Sequence, residues 1–329
     1  MITYTQQSKV IIFCPPKKVT GGPEALHQLS DKLLHLGNKN VFMYYTPKKK
    51  DAKPQNYSVY STQEIDVVED IQENILIIPE SMTYLVKKYP KSQKIIWWLS
   101  VNYYKAVMDL RIRRQNIFTK LFYRQKDREY NFEQLPNVFH WAQSYRSSIY
   151  LKNHNIPEAQ IDYVCDYINP IFLKNKKNTQ KDLTNRTILY NPNKGKKEIP
   201  ELIKSSPELV WIPIQNMTAQ EIKNLMAKSL LYVDFGENPG RDKMLRESVS
   251  QDCCIISGKN GSSVYYEDLM IPDEYKFNFS KENIPHIIEK IKEIMDKYFE
   301  HIPKFVPYKE MVLNEEILFE EKLKETFKK

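Results

Sequence analysis

A chain of 329 residues and 39.2 kDa, 41% hydrophobic, 27% charged and 12% aromatic, can build ordinary cores and is long enough for two domains, which excludes wholesale disorder. Mean hydropathy is −0.58, the longest apolar runs (Val10–Cys14, Ile75–Ile78, Ile95–Leu99) fall far short of the roughly 18 residues of a membrane span, and MITYTQQSK lacks the apolar core of a secretory signal, so a cytoplasmic chain is expected. The net charge of +8 sits in the first half, where residues 1–180 carry 26 Lys and Arg against 16 Asp and Glu.

The elements follow one grammar. KVIIFCPP has the unbroken apolar, β-branched pattern of a strand buried on both faces, and after Gly21–Gly22 comes EALHQLSDKLLHLG, with Leu26, Leu29, Leu33, Leu34 and Leu36 at helical spacing and Gly37 as its stop. VFMYYTP, NILIIPES and KIIWWLSV repeat the buried-strand pattern; SMTYLVKKYP reads as helix, and NVFHWAQSYRSSIYLKNHNI as a short strand leading into a helix. Tyr103–Arg128 is basic and aromatic, with Lys105, Arg111, Arg113, Arg114, Lys120, Arg124, Lys126 and Arg128 opposed only by Asp109 and Asp127. It reads first as a solvated helix packed on its apolar side, and functionally as a surface for anionic lipid headgroups or an anionic acceptor, with nucleic acid third.

The second half restarts the pattern: strand RTILYNP, helix KKEIPELIKSS, strand ELVWIPIQN, helix AQEIKNLMAKS with Thr218 as N-cap, strand LLYVDFG, helix RDKMLRESVSQ and strand CCIISG. The alternation predicts an α/β chain of two tandem Rossmann-like domains facing a central cleft: 1–168, a polar linker 169–185, 186–281, and a helical tail 282–329 broken near Pro303 and Pro307 and packing back toward the first domain. Cys14, Cys165, Cys253 and Cys254 are too few and too irregular for a disulfide framework or a CxxC zinc site and read as reduced core residues.

Ligands of such sheets bind beyond the carboxyl ends of the strands, which directs attention to the loops there. Eight glycines are few for this length, and most fall at these junctions. In Asp234–Glu247 a helix is expected to open near Gly240 with Arg241 and Lys243 in its first turn, where cations cost roughly 0.3–1 kcal/mol each unless an anion offsets them, so the loop reads as a phosphate cradle. Glu247, seven residues after Gly240, falls on nearly the same face, placed for a ribose hydroxyl; the bland alternative is a Lys243–Glu247 surface pair. Asn191 and Lys194, in the loop NPNKGKK, suggest a second anion contact, and Ser262 and Ser263 offer hydroxyl donors after CCIIS. In the first half Gly22 allows close backbone approach, Glu24 and His27 share a helical face, and Glu80, Ser100 and Asn102 follow strands; His27 reads equally as a satisfied interdomain histidine.

The chain has no GxGxxG, no GxxxxGK[ST], no DxD, no HExxH and no His/Cys cluster, which removes support from dinucleotide redox enzymes, P-loop NTPases and catalytic-metal sites. GGPEALHQL and MTAQEIKNLMAKSLLYVDFGENPGRDKMLRESVSQDCCIISG resemble the first glycine loop and the carboxy-terminal nucleotide-sugar module of GT-B glycosyltransferases of family 4, or group 1. The resemblance covers most of the chain, more closely over 186–277 than over 1–165. It implies that Glu247 matches the second glutamate of the family's E-x7-E motif, on the donor ribose, and that Lys194 with Arg241 or Lys243 holds the diphosphate. Pro239 stands where the first glutamate belongs, and Glu237 lies two residues earlier. The activity implied is metal-independent transfer of a sugar from a nucleotide diphosphate sugar, a co-substrate rather than a cofactor, to a saccharide or lipid-linked hydroxyl acceptor in surface glycan or glycolipid assembly. The enzyme would be cytoplasmic, with peripheral contact to anionic membrane at the inner face. Both retaining and inverting courses stay open; an inverting one needs a base from His27, Glu24 or Glu80, with Ser100 and Asn102 on the acceptor side. The alternatives are a non-catalytic nucleotide- or glycan-binding module of the same fold and, less favoured, a nucleic-acid-binding protein.

Overall fold

The computed structural model describes residues 2–113, 138–173, 181, 183–184 and 186–328, without the side chains of 111–113. It divides into two units, Met1–Asp166 with Ile317–Lys329, and Tyr167–Glu316.

The first unit is a six-stranded parallel sheet. Its strands are β1 (Val10–Cys14), β2 (Val41–Tyr45), β3 (Ile75–Pro79), β4 (Gln93–Trp98), β5 (Val138–Ala142) and β6 (Ile161–Tyr163), in the order β2-β1-β3-β4-β5-β6. Burial follows that order: β1, covered on both faces, is buried throughout, whereas edge strand β2 alternates. Among the described residues the helices beside the sheet are α1 (Gly21–His35), α2 (Val101–Arg113) and α3 (Tyr145–Lys152). Trp97 stacks on Phe319, and Trp141 meets Phe327 edge-on. Tyr104 and Met108 turn inward from α2, while Tyr103 and Leu110 stay exposed. The rest of the basic stretch, beyond residue 113, lies outside the described residues.

The second unit carries β7 (Thr187–Tyr190), β8 (Val210–Pro213), β9 (Leu231–Asp234), β10 (Cys254–Gly258) and β11 (Lys276–Phe277), in the order β11-β10-β9-β7-β8 and again all parallel. Its helices are α4 (Glu198–Ser205), α5 (Ala219–Lys228), α6 (Lys243–Ser250), α7 (Ile284–Asp296), the one-turn α8 (Tyr298–His301) and α9 (Val306–Thr326), whose last ten residues belong to the first unit. Thr218 caps α5 in a full capping box: its Oγ accepts from the Glu221 amide at 3.3 Å and Glu221 Oε2 accepts from the Thr218 amide at 2.7 Å. All four cysteines are free and buried.

Three expectations change, and two strands appear that no pattern announces. SMTYLVKKYP forms 3-10 turns over Glu80–Lys88, interrupted at Met82, whose φ of −118° and ψ of 20° leave the helical region. Ile168, at the end of the expected first domain, and Phe172, in the expected linker, pack into the core of the second unit, and Gln251 Nε2 donates to the Phe172 carbonyl at 2.8 Å. Pro307 breaks nothing, because it sits in the first turn of α9, where no amide proton is needed. Strands β6 and β11, three and two residues long, are too short for a periodicity to show.

Candidate functional site

In the second sheet β8 and β9 flank β7, so the chain leaves β7 to one side and later returns on the other. This makes the β7/β9 boundary a topological switch point, where loops diverge and leave room for a ligand. The loops after Tyr190 and Asp234 open there side by side. In the first, the Asn193 amide donates to Asn191 Oδ1 at 2.9 Å, closing an Asx turn, and Gly195 takes φ 56° with the place of a Cβ already crowded by Ile199 and Phe235. Lys194 then crosses to the second loop. Its ammonium meets Asp234 Oδ2 at 3.1 Å and Asn238 Oδ1 at 3.0 Å, and it contacts Asp242 directly. Gly236 is what lets the lysine stem through, because a Cβ there would stand 2.7 Å from Lys194 Cβ. The two carboxylates outweigh the burial that would otherwise destabilise the ammonium and push the Lys194 pKa up, while burial raises the pKa of Asp234 and the ammonium lowers that of Asp242.

Asn238 ties in a third loop. Its Nδ2 donates to Ser263 Oγ at 2.7 Å, and its carbonyl accepts from the amide and hydroxyl of Ser262 at 2.6 and 3.0 Å. Ser262 and Ser263 are therefore buried supports of Asn238. Asn191 Nδ2 lies 3.1 Å from Met244 Sδ, and Gly240 is buried in the loop before α6. Lys243, the first residue of α6, and Glu247 one turn on are half-buried; burial, and then the carboxylates of Asp234, Asp242 and Glu247, drive the pKa of the Tyr232 hydroxyl up.

Arg241 is the main correction. The helix opens at Lys243 rather than near Gly240, with Asp242 as N-cap, so Arg241 precedes the first turn. Its guanidinium is buried, 2.7 Å from Glu315 Oε1 and 3.2 Å from Met311 Sδ. Arg246 takes the other oxygen of Glu315 at 2.8 Å and donates to the Arg241 carbonyl at 3.0 Å. Arg241 thus joins the loop to α9 instead of offering a charge to a ligand. Asp242 carried the ordinary N-cap signature, an Asp just ahead of an apolar-periodic run, and was legible as such. Glu315, far along the chain, had no local signal.

The first sheet has its own switch point between β1 and β3. Gly21 and Gly22 follow β1 and Glu80 follows β3; both converge on Leu99, whose side chain lies near Gly22 and whose amide donates to Glu80 Oε2 at 3.1 Å. Glu80 is buried, which pushes its pKa up to about 8. His27 is fully buried with both ring nitrogens engaged: Nδ1 donates to the Pro23 carbonyl at 2.6 Å, and Nε2 accepts from the Tyr45 hydroxyl at 2.8 Å. Burial lowers its pKa to about 4, so it is a neutral core histidine with no free nitrogen for proton abstraction. Glu24 accepts from the Tyr60 hydroxyl at 2.9 Å. Ser100 Oγ accepts from the Tyr103 amide at 3.0 Å at the start of α2, and Asn102 Oδ1 accepts from Arg146 at 2.6 Å. Among the described residues no cluster of His, Cys, Asp and Glu is placed to hold a metal, and no helix is long and apolar enough to cross a membrane.

No protein-family model and no curated protein sequence matches the chain. Solved structures do. WaaG, a glycosyltransferase involved in lipopolysaccharide biosynthesis, aligns over 95% of this chain and 99% of its own at TM-score 0.60 and 11% identity. HepE of Anabaena in complex with UDP-glucose aligns over 97% and 98% at TM-score 0.63 and 8% identity, and a glycosyltransferase of Rickettsia africae over 98% of both chains at TM-score 0.56 and 13% identity. At these identities the likeness is one of fold, and it extends through both sheets and the carboxy-terminal helices: the chain has the GT-B fold, and the structures it is similar to are glycosyltransferases.

Proposed function

We propose that the protein transfers a sugar from a nucleotide diphosphate sugar to a hydroxyl acceptor, with donor binding assigned to the second unit and acceptor handling to the first. The observation that carries this reading is the switch point of the second sheet, where the half-buried ammonium of Lys194, the first turn of α6 and the carboxylate of Glu247 converge in a chain of GT-B fold. HepE, so similar in fold, has been solved with UDP and with UDP-glucose. Glu247 is assigned to the donor ribose, and Lys194 and Lys243 to the diphosphate. The departing diphosphate would be stabilised by these cations and by amide N–H groups where negative charge develops, with no metal required. Arg241 leaves the donor set, and Ser262 and Ser263 act through Asn238.

Among the proton-handling candidates Glu80 is retained and His27 is set aside. With a pKa of about 8 Glu80 holds its proton at neutral pH, and it gains the ionised form needed for a base as pH rises toward 8. The positive balance of the first half and the exposed Tyr103 and Leu110 of α2 support an acceptor that is lipid-linked or anionic, met at a membrane face, as in surface glycan assembly. The second reading, a non-catalytic module of the same fold, is favoured by Pro239 in the place of the first motif glutamate. Incubation with UDP-, GDP- and TDP-sugars separates the two: slow release of free sugar supports the transferase, whereas binding without release supports the module. Nucleotide-induced thermal stabilisation should shrink in Glu247→Ala and Lys243→Ala; equal stabilisation in both variants and the parent would remove the assigned site.

A further inference from the structure

Asp242 occupies the corner of the second unit that an anion would fill. Its Oδ1 accepts from the amides of Met244 and Leu245 at 3.0 and 3.4 Å, and its Oδ2 contacts the Lys194 ammonium. A carboxylate there engages the same donors, first-turn amides and a half-buried cation, that would hold two oxygens of a phosphoryl group.

The charge count sharpens this. Asp234, Asp242 and Lys194 place two carboxylates on one ammonium, so an approaching diphosphate meets a cation already neutralised. Asp234 is the inner partner, its side chain wholly buried, and its Oδ1 accepts from the Gly236 amide at 2.8 Å. Asp242 is the outer one: its side chain keeps 16% exposure and that of Lys194 keeps 19%. Solvent reaches the pair from the Asp242 side, and Asp234 can stay with the lysine if Asp242 leaves.

We propose that Asp242 is a built-in stand-in for the phosphoryl group, so that a nucleoside diphosphate binds by displacing its carboxylate from Lys194 and the α6 amides. Asp242 thereby sets the affinity of the site for anions and holds it low. This rests on the reading of the second unit as the nucleotide site. Asp242 is a self-occupying residue here, distinct from the residues assigned to hold the donor.

The test titrates UDP and inorganic pyrophosphate separately into the full-length parent and Asp242→Asn by calorimetry. Asparagine is as good an N-cap as aspartate and nearly the same size, so the helix start is retained while the charge is removed. Asp242→Ser, also a good cap, serves if the first variant folds poorly. Asp273→Asn, which removes an exposed acid paired with Lys259, is the control for a general charge effect. Affinity for both probes should rise at least tenfold in the Asp242 variants and stay unchanged in the control. Equal or weaker binding in the Asp242 variants overturns the stand-in role, and if the parent still binds UDP the nucleotide reading survives that result. A gain for pyrophosphate with no UDP binding in any protein supports the role of Asp242 and removes the nucleotide reading. A gain of the same size in Asp273→Asn overturns the local account.

Discussion

The two units share a strand order at their switch points and populate them in opposite ways. In the first, the two buried titratable groups beside β1 and β3 are uncharged near neutral pH: His27 is neutral within a shell that includes Tyr45 and Tyr57, and Glu80 is a buried carboxyl with a pKa of about 8. In the second, Lys194, Arg241 and Arg246 are matched by Asp234, Asp242 and Glu315, three cations against three carboxylates, largely buried. One topology therefore accommodates both solutions to the cost of burying polar groups, keeping them neutral or pairing them. A neutral site titrates within the physiological range but tolerates single deletions. A paired site is indifferent to pH in that range, yet each charge deleted leaves its partner stranded.

The largest expected effect follows from the pairing. Glu315→Gln keeps the volume and removes the charge shared by Arg241 and Arg246, so urea unfolding should show the second unit losing about 3–5 kcal/mol. A loss below about 1 kcal/mol, the size of an exposed pair, would mean that both guanidinium groups reach water, and the contrast between units would fall.

Next in size is a pH effect confined to the first unit. Glu80 has a folded pKa above its unfolded value, so the folded state holds its proton longer and stability from this group falls as pH rises from about 4.5 to about 8. Glu80→Gln should be more stable than the parent by about 2–4 kcal/mol at pH 9 and equal to it at pH 4, read as thermal midpoints across a pH series. His27 and His140 have the opposite sign: burial lowers their pKa values to about 4 and about 3, so their contribution is complete above pH 6.5 and is lost as pH falls toward those values. These three groups together place the stability maximum of the first unit near pH 6.5. A flat profile between pH 4 and 9 would break the comparison from the other side.

The smallest effect is the removal of one neutral partner. Tyr45→Phe takes the donor from His27 Nε2 and should cost about 1–2 kcal/mol in chemical denaturation. It should leave nucleotide binding as it is, since both ring nitrogens of the histidine are engaged within the core. A change in donor affinity would return His27 to the active machinery.

How far the chain could be read differs between its levels. The strands β1, β3, β4, β9 and β10 were plain because full burial on both faces of a parallel sheet demands uninterrupted apolar runs, and α1 and α5 because a helix packed on one side leaves a period in its sequence. Elements below four residues, such as β6 and β11, have no period to display. At the site, the loops after Tyr190, Asp234 and Gly258 were identifiable from the strand ends, and Lys194 among them. Arg241 has the sequence signature of a ligand group, because two cations near a helix start call for an anion, and that anion is the chain's own Glu315.

The sequence by itself determined the alternation of strands and helices, the two-sheet α/β class and the stretches of loop where ligands can sit, because those follow from the hydrophobic period and local turn chemistry. Only the tertiary structure decided which charges are committed and which remain for a ligand. Coulomb partners are chosen by distance in space, and the partners of Lys194, Arg241 and Arg246 lie 40, 74 and 69 positions away along the chain, beyond the reach of any local pattern.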